Sequence, residues 1–117
     1  MASPKFELLE KVIDRELEPD DIMIEIMGIY DDITLIPDVG KTYTFIYQAK
    51  SPNIIYDEFP LVAVTHIDKW GFRGLNYHWG AWRQYTWVEI ASQLHFIPQE
   101  DVGELRAVPY RNFKVST

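Results

Sequence analysis

An α+β fold is predicted by three features of this chain: an amphipathic, acid-rich opening, a middle stretch of alternating bulky residues cut by short turns, and a length of 117 residues, close to that of one domain. Hydrophobic residues make up 47% and charged residues 25% of the chain, proportions that favour a packed core over a disordered polymer. The division expected is an acidic helical N-terminal extension over residues 1–38 and a small β domain over residues 39–117, forming a single folding unit.

The opening reads as helix. Ser3 can cap it with Pro4 at the first helical position, and Phe6, Leu9, Val12, Ile13 and Leu17 recur at spacings of three and four, which predicts a helix from about Pro4 to Leu17. Glu18-Pro19-Asp20-Asp21 breaks it and offers a new start. Ile22, Met23, Ile26, Met27 and Tyr30 then share one helical face, predicting a second, shorter helix. Ile22, Ile24 and Ile26 also satisfy a two-residue period, so residues 20–30 are open to helix or strand.

Asp31-Asp32 and Pro37-Asp38-Val39-Gly40 punctuate a loop, after which Lys41 to Ala49 alternates as a strand, with Tyr43, Phe45, Tyr47 and Ala49 on one face. Ser51-Pro52-Asn53 ends it. Leu61 to Ile67 forms the next strand, with Val62, Val64 and His66 on one face and Pro60 at its entrance. The short turn Asp68-Lys69-Trp70-Gly71 should pair it with a strand over residues 72–79 as an antiparallel hairpin, and Gly74 suggests a bulge or sharp bend. Residues 81–96 are ambiguous: Trp82, Tyr85, Val88, Ala91 and Ser92 could line a helix, whereas Tyr85-Thr86-Trp87-Val88 has strand composition. A helix or helical turn is the reading taken. A turn over residues 98–103 and a closing strand from Glu104 to Val108 complete the chain. Short strands preceded by helix fit a small SH3-like antiparallel β-barrel with an N-terminal helical extension.

Composition excludes several functions. Without cysteine there is neither a disulfide framework nor a thiolate metal site. The N-terminus lacks a signal-peptide pattern and no apolar run approaches about 18 residues, so no membrane association is expected. Of the net charge of −7, residues 1–40 carry −8, from three basic and eleven acidic residues, and residues 41–117 carry +1. So acidic a segment would repel a phosphate backbone, and nucleic acid is an unlikely partner; a solvated acidic face is the plainer reading, and docking on a basic neighbour the sharper one.

No constellation points to catalysis, and the chain is expected not to be an enzyme. His66 and His78 could approach across the hairpin with Asp68 or Glu89, but the spacing matches no metal motif, so no metal or other cofactor is expected. Asp57 and Glu58, adjacent in a strand, would point apart and make poor acid/base partners. Gly71-Phe72-Arg73-Gly74 lacks the spacing of a phosphate loop, and no serine sits in a nucleophile turn. Trp70, Trp79, Trp82 and Trp87 with Arg73 and Arg83 could stack a base or sugar; too few basic residues accompany them to hold a phosphate backbone, and core or subunit-interface roles are favoured.

The string Gly40-Lys41-x-Tyr43-x-Phe45-x-Tyr47-x-Ala49-Lys50, then Tyr56-Asp57-x-Phe59-Pro60-Leu61-Val62, then Gly71-Phe72-x-Gly74-Leu75-Asn76-x-His78, resembles a group of small structural or virion-associated proteins of contractile-tailed phages. The likeness covers residues 39–79, with a fainter echo at Tyr110-Arg111-Asn112-Phe113-Lys114. After His78 the chain departs from the pattern, with Trp79-Gly80-Ala81-Trp82 in place of a Tyr-Leu-Pro-Pro type of continuation. The resemblance implies a virion structural or assembly protein of tail, baseplate or neck. Such a protein would be assembled in the host cytoplasm, join other virion proteins in an oligomeric assembly, and have nothing catalytic on these residues. A nucleic-acid-associated phage accessory protein is the alternative. The expected interface is Trp70, Arg73, Trp79, Trp82 and Arg83, since Trp and Arg are enriched among interface anchors.

Overall fold

The computed structural model describes residues 4–13, 19–48, 60–77, 79–103 and 105. Two helices, α1 (Pro4–Ile13) and α2 (Pro19–Ile29), precede strands β1 (Ile33–Thr34), β2 (Thr42–Thr44), β3 (Leu61–Ile67), β4 (Gly71–Asn76), β5 (Ala81–Thr86) and β6 (Leu94–Ile97); a 3₁₀ turn (Trp87–Glu89) joins β5 to the segment before β6. The strands form one sheet in the order β1-β6-β2-β3-β4-β5, and every neighbouring pair is antiparallel.

α1 begins at Pro4 as its sequence predicts, and the end expected near Leu17 lies outside the described residues. In α2 the helical period wins over the alternating one: Ile26 and Met27 are buried side by side while Ile24 is exposed, a split that 3.6 residues per turn explains and a two-residue period does not. Phe6, Ile26, Met27 and Tyr30 pack on Leu61, Ile97, Val102 and Leu105, so the helices cover one face of the sheet. Polar ties fasten that layer. The Tyr30 hydroxyl donates to buried Asp101 Oδ2 at 2.8 Å, His95 Nδ1 donates to the Tyr30 carbonyl at 2.8 Å, and Lys5 Nζ meets Asp31 Oδ1 at 3.0 Å. The Lys5 hydrogen bond, aided by its charge, lowers the pKa of Asp31.

The other face holds Tyr43, Phe45, Val62, Val64, Phe72, Tyr85 and Leu94. Phe45 is its hub, with ring centroids of Phe72 at 5.6 Å and Tyr85 at 5.4 Å in edge-to-face contact. Because both faces are covered, all of Thr42 to Phe45 is buried. The alternation in β2 therefore separates two cores and not core from solvent.

Several expectations are corrected. The sheet is open among the described residues, with β1 and β5 as edges, and a closed barrel is not formed. The strand expected from Lys41 to Ala49 is regular only over Thr42–Thr44, with an isolated bridge from Tyr47 to Ile90. The second hairpin strand stops at Asn76 and not at residue 79, because Gly80, at φ 64°, turns the chain back into β5. The helix expected over residues 81–96 is replaced by β5, the 3₁₀ turn and β6: pairing along all of β4 satisfies the β4-facing half of the β5 backbone and drops Tyr85 into the core. The presumed helical face is split, with Tyr85 4% exposed and Trp82 and Val88 at 63% and 90%. Residues 99–103 and 105 are helical where a turn and a closing strand were expected; Val102 and Leu105 bury themselves beneath α2, three residues apart on one face. Finally, the loop expected over residues 31–40 contains β1, which pairs with β6.

The antiparallel pairing of β3 with β4 forms as expected, with the second strand shortened as described. Its register shifts between Val64 and His66, so the irregularity expected at Gly74 sits on the opposite strand. A Cβ at Gly74 would collide with the Ala63 carbonyl and Val62, and one at Gly71 with the Tyr85 carbonyl; the strands approach there because these residues lack side chains.

Candidate interaction edge

Directly paired residues of antiparallel strands share a face. Trp82 pairs with Leu75, Leu75 with Ala63, Ala63 with Thr42, and Thr42 with Ile97, so Trp82 lies on the helix-covered side of the sheet. The helices do not reach it, and its ring is exposed. Arg83 pairs with Gly74, and Gly74 with Val64, which assigns Arg83 to the opposite face. There its guanidinium lies 5.7 Å from the centroid of the Trp79 ring, delivered by the β4–β5 turn. Asn76 holds that turn: its Oδ1 accepts from the Trp79 amide at 3.2 Å and its Nδ2 donates to the Tyr85 hydroxyl at 3.0 Å.

The structure thus joins Trp79 with Arg83 and puts Trp82 one residue away on the other face. Arg73 pairs with Gln84 and shares the Trp82 side, but is only half-exposed. Trp70 stands apart at the β3–β4 hairpin, where its carbonyl accepts from the Trp87 amide at 3.0 Å. Trp87 packs on Phe72 and belongs with the core. His66 is exposed beside the bulge, and His78, Asp57 and Glu58 lie outside the described residues.

The backbone of β5 adds what the side chains do not. The Trp87-to-Trp70 hydrogen bond continues the β4–β5 ladder one pair beyond Gly71 and Thr86. Bonded pairs alternate along an antiparallel ladder, so the main-chain groups of residues 81, 83 and 85 face β4 while those of Trp82, Gln84 and Thr86 point off the sheet. The Thr86 amide accordingly meets the Tyr47 hydroxyl at 3.5 Å. Glu89 completes that corner, its Oε1 accepting from Thr86 Oγ1 at 2.6 Å and from the Tyr47 hydroxyl at 3.0 Å. Burial raises the Tyr47 pKa above its ordinary value, with hydrogen bonds to Thr86 opposing and Glu89 adding to the rise, so the phenol stays a protonated donor.

Sequence reasoning missed the opposite edge. Ile33, Leu35, Ile36 and Val39 are all exposed, and Leu35 and Ile36 join Trp87, Ile90 and Ser92 around an open recess of about 330 Å³. The signal lies in Ile33-Thr34-Leu35-Ile36, a β-rich run whose flanks, Asp31-Asp32 and Pro37, favour a loop. Among the described residues no three His, Asp or Glu side chains gather, and no helix is long and apolar enough to cross a membrane. What the edge offers is ring faces, a guanidinium and open strand groups, which is binding chemistry.

No protein-family model matches the chain, and neither a curated protein nor a solved structure matches it at a significant level.

Proposed function

We propose that this protein is a non-enzymatic structural or assembly component of a phage virion, in the tail, baseplate or neck, acting through protein–protein contacts on a small SH3-like β module. The observation that carries the contact role is the β5 edge, a strand open on its outer side among the described residues and bearing exposed Trp82 beside the Trp79–Arg83 stack. Open edges with large apolar side chains invite pairing, and soluble proteins ordinarily blunt them. The sequence resemblance over residues 39–79 supplies the virion setting. The SH3-like reading is supported by the strand order β2-β3-β4-β5, a consecutive antiparallel meander whose first strand also takes β6 as a neighbour.

Mass spectrometry of purified particles tests this reading. The protein is expected at a fixed copy number in wild-type particles, and Trp82→Ala is expected to lower its incorporation severalfold at equal folded yield, since a central Trp is a common hot spot. Absence from wild-type particles would sink the reading.

A further inference from the structure

Among the described residues the sheet ends in two edges, β1 and β5, that complement each other, and we infer that β5 of one copy pairs with β1 of a second copy, in a head-to-tail strand addition that aligns Trp82 with Ile33 and Arg83 with Asp32. The inference rests on the β5 edge being the contact surface, as proposed above, and names its partner as this same chain.

Four observations agree. The first is polarity: in the order β1-β6-β2-β3-β4-β5 with every neighbour antiparallel, β1 and β5 run in opposite directions. A second copy in the same orientation therefore brings its β1 antiparallel to β5 and continues the pattern. The second is hydrogen-bond phase. The Phe96 amide donates to the Asp32 carbonyl at 2.9 Å, one pair beyond Ile33 and His95, so Asp32 and Thr34 bond toward β6 while the main-chain groups of Ile33 point outward.

The third is facing. Ile33 pairs with His95, His95 with Thr44 and Thr44 with Leu61, which sets Ile33 on the helix-covered side, the side of Trp82. Outward-bonding residues on both edges thus carry their side chains on the same face, as a ladder between them requires. Opposing Trp82 and Ile33 as a bonded pair joins two exposed apolar side chains. The same register puts Arg83 opposite Asp32 as the adjacent non-bonded pair, where side chains come closest.

The fourth is charge. β1 follows Asp31-Asp32 in the segment of net charge −8, and β5 carries Arg83 in the segment of +1. Two-fold pairing of β5 with β5, bonding Trp82 to Gln84, would set Arg83 against its own copy, and like charges directly opposed are destabilising. Two-fold pairing of β1 with β1 would crowd the acidic pairs. Charge favours unlike edges over these two pairings, and such a heterologous contact closes into a ring or extends as a filament.

The absence of cysteine makes a direct test possible. Asp32→Cys and Arg83→Cys chains, each checked for folding by circular dichroism, are mixed under mild oxidation. A mixed disulfide dimer well above either homodimer is expected, because non-bonded antiparallel pairs fall within disulfide reach. A dominant Arg83→Cys homodimer, or no enrichment of the mixed species, overturns the inference. In sedimentation of the full chain, Arg83→Glu should weaken self-association about tenfold and an Asp32→Arg partner should restore it; a wild-type chain that stays monomeric also overturns it. Presence in particles without self-pairing would leave the proposed function standing, whereas self-pairing without incorporation would remove the virion role alone.

Discussion

β4 and β5 are neighbours of equal length, paired along all six residues, yet one is buried and the other open. β4 lies between two strands: Phe72, Gly74 and Asn76 are buried on one face and even Arg73 and Leu75 are half-covered. Among the described residues β5 has a neighbour strand on one side alone, and Trp82, Arg83 and Gln84 are exposed while Tyr85, which pairs with Phe72, is buried. An aromatic side chain thus serves the core or the surface according to strand position and phase, and only two residues separate Trp82 from Tyr85. The lesson concerns rank in the sheet more than composition.

The largest expected effect comes from β4. Phe72→Ala removes a fully buried ring that contacts Phe45, Tyr85 and Trp87 and should cost about 3–5 kcal/mol in denaturant unfolding; a loss below 1 kcal/mol would erase the contrast with β5. Gly74→Ala pushes a methyl into the Ala63 carbonyl and should cost about 1–3 kcal/mol, with hydrogen exchange rising first in the β3–β4 hairpin. Trp82→Ala should change stability by no more than about 0.5 kcal/mol, as truncations of exposed side chains do. A large loss in thermal melting would mean that Trp82 holds its own fold together and is not kept for a neighbour.

Much of the architecture was legible. The two helices are announced by Pro4, by Pro19 and by apolar residues at helical spacing, and the β3–β4 hairpin by alternation around a short polar turn. Residue type alone groups Trp70, Trp79, Trp82, Arg73 and Arg83, although they occupy a hairpin tip, a turn and both faces of the sheet. Residues 81–96 read as a helix or helical turn because Trp82, Tyr85 and Val88 are spaced three apart; pairing with β4, which no local pattern reveals, outweighs that spacing. Ile33 to Ile36 hid among turn-forming neighbours, and its role depends on β6, which lies about sixty residues on.

By itself the sequence determined local events: where chain direction changes, which segments are amphipathic, and that negative charge gathers in residues 1–40. These follow from backbone sterics and from side-chain period, which act over a few residues. Tertiary structure alone decided that β1 and β5 are the edges, that Tyr85 is inside and Trp82 outside, and that the two edges oppose in charge and direction. Those properties belong to strand order and register, and hydrogen bonds between distant segments set both.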